Sequence, residues 1–187
     1  MIYEFCAENV ILLEKAMQAG ARRIELCDNL AVGGTTPSYG VTKAAVELAV
    51  NYDTTIMTMI RPRGGDFVYN ELEIAIMLED IRLTAQAGSQ GVVFGALTAD
   101  KKLDKPNLEK LIAASKGMEI VFHMAFDELS DEDQLEAIDW LSRAGVTRIL
   151  TRAGVSGDSL EKRFAHYHRI LEHAKGKIEI LPGGGID

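Results

Sequence analysis

Along the chain one unit recurs: a stretch with apolar residues at helical spacing, a glycine, then a short run of Val, Ile and Leu. Ala19-Gly20 precedes Arg23–Cys27, Ala87-Gly88 precedes Gly91–Gly95, and Lys116-Gly117 precedes Glu119–His123. Ala144-Gly145 and Lys175-Gly176 stand in the same relation to Arg148–Arg152 and Ile178–Leu181. Glycine supplies the left-handed residue that ends a helix, and short uninterrupted apolar runs suit strands buried on both faces. With Ile2–Cys6 and Thr55–Ile60, the pattern predicts seven strands and six intervening helices. Ile74, Met77, Ile81 and Ala85 form one apolar face of a helix from Asn70 to Ala87, and Leu135, Ile138 and Leu141 do so between Asp131 and Ala144. Ser130, followed three residues on by Asp133, and Asp158-Ser159-Leu160 read as helix starts.

Strict alternation of strand and helix implies one α/β domain with a parallel sheet and right-handed crossovers. A doubly wound sheet and a TIM-type (β/α)8 barrel both satisfy the alternation. No glycine-rich nucleotide fingerprint follows the first strand, and polar residues stand at nearly every strand end, which favours the barrel. Eight strands take about 250 residues, with a lower range near 200, whereas this chain has 187 and ends just past strand seven. The expectation is therefore a single barrel domain, residues 1–187, truncated at its carboxyl end or completed by a partner chain. An uncovered first strand would expose a pairing edge.

Composition narrows the function classes. The net charge is −8, without a basic stripe, which argues against a nucleic-acid partner. No apolar run approaches the roughly 20 residues of a membrane span, and the amino terminus lacks the basic region of a secretory signal. Two cysteines, Cys6 and Cys27, make no disulfide framework and read as reduced thiols in the cytoplasm.

The candidate chemistry gathers at predicted strand ends. Met59-Ile60-Arg61-Pro62-Arg63-Gly64-Gly65-Asp66-Phe67 sets two guanidinium groups on a tight loop where parallel α/β proteins bind ligands. Arg61 and Arg63 would grip a carboxylate or phosphate; ordinary surface salt bridges are the alternative. Glu25 lies in a strand that should be buried, so it needs a partner, and Arg61 is the natural one. His123, at the tip of strand five, suits a general acid or base, with Asp127 four residues on to orient its ring; a core histidine is the alternative. Pro182-Gly183-Gly184-Gly185 can hold phosphate through backbone N–H groups, or be a simple turn. His166, His168 and His173 read as solvated helix positions. Cys6 and Cys27, on strands roughly 4.8 Å apart, can hold one Cu(I), a soft ion that favours Cys and Met; plain burial is the alternative.

These blocks resemble the CutC family of copper homeostasis proteins. The matching stretches are Ala21–Cys27, Gly33–Ser38, Ile60–Phe67, Phe122-His123 with Ala125-Phe126-Asp127, Arg148–Thr151 and Pro182–Gly185. The resemblance implies a (β/α)8-type barrel, a cytoplasmic location, self-association, and a Cu(I) site falling on Cys6 and Cys27. Two positions depart from the family pattern: Met124 stands where Arg is usual, and Arg152-Ala153 replaces a usual Ser-Gly. The residues themselves also fit a second function, an enzyme acting on a small anionic substrate. There Glu25, His123 and Asp127 would be the catalytic groups, and Arg61, Arg63, Gly183 and Gly184 the anion anchors. A scaffold binding another protein is a third possibility.

Overall fold

A computed structural model describes residues 2–154 and 157–184. The strands are β1 (Glu4–Glu8), β2 (Arg23–Cys27), β3 (Thr55–Met59), β4 (Gly91–Phe94), β5 (Glu119–Phe122), β6 (Arg148–Thr151) and β7 (Glu179–Pro182). The helices are α1 (Leu13–Gln18), α2 (Tyr39–Ala49), α3 (Glu71–Ala87), α4 (Lys105–Ala114), α5 (Asp131–Ala144) and α6 (Leu160–Ala174). All seven strands pair in parallel, in chain order, as a single curled sheet. This is the TIM-type arrangement the alternation predicts, with the strands lining an interior and the helices outside.

Helix starts follow local chemistry. Ser38, Asn70, Asp104, Ser130 and Ser159 each accept a backbone N–H in the first turn of α2 to α6. Asn70 and Glu73 complete a reciprocal capping box. The face predicted for α3 differs at one place: Thr84 is buried where Ala85 was expected, and Ala85 is exposed. The shift by one residue continues the i, i+3 spacing from Ile81.

Alternation along each strand sorts the side chains. Outward-facing Ile24, Leu26 and Ile56 pack on α1 and α2 through Leu13, Met17, Ala45 and Ala49. Outward-facing Val92, Phe94, Ile120, Phe122 and Ile149 pack on α3 to α6. Phe94, Phe122 and Phe126 are fully buried there, each stabilising the fold by about 2–3 kcal/mol through lost apolar surface. The inner face carries Cys27, Met57, Met59, Val93 and Val121, with Leu150 against them.

At the amino ends of the strands the inner face is charged. Arg23 pairs with Glu4 at 3.3 Å, and Arg148 with Glu119 at 2.8 Å and Glu179 at 3.2 Å. Glu4 lies opposite Arg23 in the β1–β2 register. That register starts β1 two residues later than predicted, leaving Ile2 and Tyr3 exposed. At the other end the predicted strands overrun: Ile60, Gly95, His123 and Arg152 already belong to the loops.

Candidate functional site

The carboxyl ends of the strands form the mouth of the sheet, and two polar groups meet the interior there. The first spans β1 and β2. Register sets Cys6 opposite Glu25 and Glu8 opposite Cys27, so Cys6, Glu25 and Cys27 share the inner face. Their ligating atoms all lie within 4.8 Å of one another. Cys27 is buried and Cys6 exposed, so the group is closed at one end and open at the other. Gly34 completes the closed end: a Cβ there would stand 3.1 Å from Cys27 Sγ.

The three groups tune one another. Burial, reinforced by the neighbouring Cys6 and Glu4, pushes the Glu25 carboxyl well above the usual carboxylate range. The Cys6 thiol is held down to about 7 by the Cys27 thiol against the effect of burial, with Glu25 adding to the lowering. The Cys27 thiol is pushed up, by Cys6 and by burial. The pairing of Glu25 with Arg61 expected from sequence is not formed. Glu25 Oε1 is buried without a hydrogen-bond partner, because the Arg61 guanidinium is turned to backbone carbonyls instead.

Arg61 heads the second group. Its Nη1 donates to Val32 O at 2.9 Å and Gly34 O at 3.0 Å, and its Nη2 to Gly65 O at 2.7 Å. One side chain thus ties the loop after β2 to the loop after β3. Arg63 turns the other way, donating to Glu73 Oε1 at 2.5 Å and Asp66 Oδ1 at 3.0 Å. The two-arginine clamp expected from sequence is therefore not assembled, since the Arg63 charge is met by the acids of its own loop and of α3, with its guanidinium over the Tyr69 ring, 5.4 Å from the centroid.

His123 sits on the inner side next to Arg61. Its Nδ1 accepts from Ala125 N at 3.2 Å, so a neutral ring carries its proton on Nε2. Burial, then the Arg61 charge, lowers its pKa to about 3. The Phe67 ring packs 4.8 Å from the imidazole and 4.9 Å from Arg61 Cζ. Gly95 is required beside it, because a Cβ there would lie 2.7 Å from two ring atoms of His123.

Asp127 does not orient this ring. It accepts from Thr151 Oγ1, and from Arg152 N at 3.1 Å, an outcome of the short 3-10 turn Met124–Glu128 that swings it toward β6. The set Glu25, His123 and Asp127 is thus divided among three neighbourhoods. Gly183 gives its N–H to Thr151 O at 2.9 Å, and Gly184 accepts from Arg163 Nη2 at 3.1 Å. Gly184 also lies against Met124 and Arg152, the two departures from the family pattern, while Gly185 lies outside the described residues. His166 is half-buried and bonded to Gln134 Oε1 at 2.7 Å, and His173 lies 3.1 Å from Asp139, so neither is simply solvated.

Tyr69 is the site residue that sequence reasoning missed. It is 7% exposed, its hydroxyl lies beside the Arg61 guanidinium without a hydrogen bond of regular geometry, and burial, partly offset by Arg61, pushes its pKa up to about 12. An aromatic residue two positions past Phe67, just ahead of the α3 cap, was the available signal.

The sequence profile described as "CutC family" matches residues 1–187. The chain belongs to the CutC family. A CutC family protein of Enterococcus faecalis is 52% identical over 186 residues, covering all of this chain and 89% of that protein. The human copper homeostasis protein cutC homolog is 41% identical over 185 residues, covering 99% of this chain and 65% of that protein. The CutC crystal structure from Streptococcus agalactiae superposes with a TM-score of 0.95 at 45% identity, covering all of this chain and 89% of that one. An aldolase superposes with a TM-score of 0.71 at 16% identity; at that identity the likeness speaks for the barrel fold alone.

Proposed function

We propose that this chain handles copper as other CutC-family proteins are named for doing, binding Cu(I) through the Cys6 and Cys27 thiolates. The observation that carries the reading is the meeting of two sulfur ligands and Glu25 within 4.8 Å on β1 and β2. Two thiolates suit a soft monovalent ion, and Met57 lines the same inner face beside Cys27. Exposed Cys6 provides the point of entry and buried Cys27 the anchor. Glu25, whose carboxyl burial pushes well above the usual carboxylate range, serves here as a hydrogen-bonding neighbour of Cys6.

The proposal places the protein in the cytoplasm, where free thiols stay reduced. Among the described residues no helix is long and apolar enough to cross a membrane. Self-association belongs to the same reading: Leu160, Phe164 and Leu171 expose apolar surface along α6, which a second copy would cover. Competition against a chromophoric Cu(I) chelator under reducing conditions tests the metal site. One copper per chain is expected, and none for Cys6→Ser with Cys27→Ser. Retention of one copper by the double variant would rule out the thiol site.

A further inference from the structure

We propose that Arg61, Tyr69 and His123 form a second site at the mouth, which binds the carboxylate group of a small monoanionic molecule against the Phe67 ring. Arg61 Nε, Tyr69 Oη and His123 Nε2 are all buried without a hydrogen-bond partner among the described residues. Their residues are 4%, 7% and 4% exposed. The unpartnered nitrogens of Arg23 and Arg148 belong to guanidiniums already paired with carboxylates, whereas Arg61 has no such pair among the described residues. Leaving buried polar atoms unsatisfied costs stability unless a ligand completes them.

The three belong to one neighbourhood. Phe67 touches Arg61 and His123 together, and the Arg61 charge acts on both Tyr69 and His123. Gly95 leaves the room in which the imidazole is seated.

The chemistry of the group selects its ligand. The guanidinium Nε and the imidazole Nε2 offer protons, the latter because Nδ1 already accepts from Ala125 N, and the tyrosine hydroxyl can offer a third. A metal cation would find donors and a positive charge. Among the described residues Arg61 makes no ion pair, His123 is neutral, and the Arg63 guanidinium over the Tyr69 ring is already met by Asp66 and Glu73, so the group carries a single uncompensated positive charge. That balances a carboxylate, whose two oxygens accept several hydrogen bonds. A phosphate dianion would bring a second negative charge, and the cation that could meet it, Arg63, is held by Glu73 and Asp66. Phe67, half-buried on the loop that holds Gly64 and Gly65, covers the donors and gives an apolar wall for the rest of the molecule. Its displacement opens the way in. The site does not rest on copper, and it draws on neither cysteine.

The test is a titration of the whole chain at neutral pH with acetate and propionate, and separately with inorganic phosphate. It is followed by the His123 imidazole resonances and by thermal melting. Saturable carboxylate binding that moves His123 is expected, with phosphate weaker. Replacing Arg61 would cut the loops loose, so the decisive variant is Tyr69→Phe, which removes an oxygen that makes no hydrogen bond of regular geometry within the fold. Its melting temperature should hold or rise, while carboxylate affinity falls about tenfold, the loss of one charge-assisted hydrogen bond. Cys6→Ser with Cys27→Ser should leave carboxylate binding unchanged, which separates this site from the copper reading. No saturable carboxylate binding, tighter binding of phosphate, or unchanged affinity in Tyr69→Phe would each overturn it.

Discussion

The floor and the mouth of this sheet both bury charged and polar side chains, and they differ in whether a buried arginine meets an opposite charge. On the floor Arg23 and Arg148 each face carboxylates at 2.8–3.3 Å, although Arg23 Nη1, Arg148 Nη1 and Glu4 Oε2 make no hydrogen bond among the described residues. At the mouth Arg61 has carbonyls on two of its nitrogens and nothing on the third, while Glu25, Tyr69 and His123 each keep a buried atom unpartnered. Charges that meet their opposites hold strands together; donors left without acceptors weaken a fold unless something outside it fills them. The floor is therefore architecture, spanning β1, β2, β5, β6 and β7. At the mouth Arg61 has no such opposite charge among the described residues, and its unpartnered neighbours Tyr69 and His123 are the groups the proposed carboxylate site would use.

Acidification should expose the contrast most. His123 has a folded pKa near 3 against 6.5 for the free side chain. As pH falls below 6.5 the unfolded chain takes up the proton first, so stability is full above that pH and is lost on the way down to about 3. The slope is at most about 1.4 kcal/mol per pH unit. Glu25 works in the reverse sense, since its raised folded pKa favours the fold in acid and loses that contribution as pH rises. Urea denaturation of the wild type beside His123→Asn should therefore show the wild type losing the more stability between pH 6.5 and 4. Parallel curves would mean that His123 is not buried neutral.

Next in size is the floor. Arg148→Ala leaves Glu119, Glu179 and Glu4 facing one another and should lower unfolding stability by about 3 kcal/mol. That is the low end for breaking a buried pair, because Glu119 and Glu179 are half exposed. A loss below about 1 kcal/mol, typical of surface pairs, would dissolve the distinction between the two ends. Gly95→Ala should cost about 1–2 kcal/mol by overpacking against the His123 ring, read by denaturation, and should shift the His123 resonances. Smallest is Tyr69→Phe, within about 0.5 kcal/mol of the wild type in either direction. A large loss would show that its hydroxyl is already bonded within the fold.

Much of the architecture was legible because it depends on short-range pattern. Glycine stops, apolar runs and Ser or Asn caps specified seven strands and six helices, and β2 lies where its apolar run predicted. The nearness of Cys6 to Cys27 followed from their places on neighbouring strands, whereas Glu25, expected beside Arg61, lies with the two thiols instead. What failed depended on rotation of a side chain within a loop. Arg61 and Arg63, two residues apart, take different partners, Arg61 the carbonyls of two loops and Arg63 the carboxylate of Glu73 in α3. Asp127, four residues after His123, is carried to Thr151 by a 3-10 turn that no periodicity announces. Tyr69 was invisible because its place beside Arg61 and under Arg63 comes from the folding of the loop after β3 and not from any periodicity.

Copper K-edge X-ray absorption of the Cu(I)-loaded chain tests the central claim most directly. The account predicts a shell containing two sulfur neighbours, from Cys6 and Cys27, which disappears in the double serine variant. A first shell of nitrogen and oxygen only, or the same sulfur shell in the variant, would contradict it.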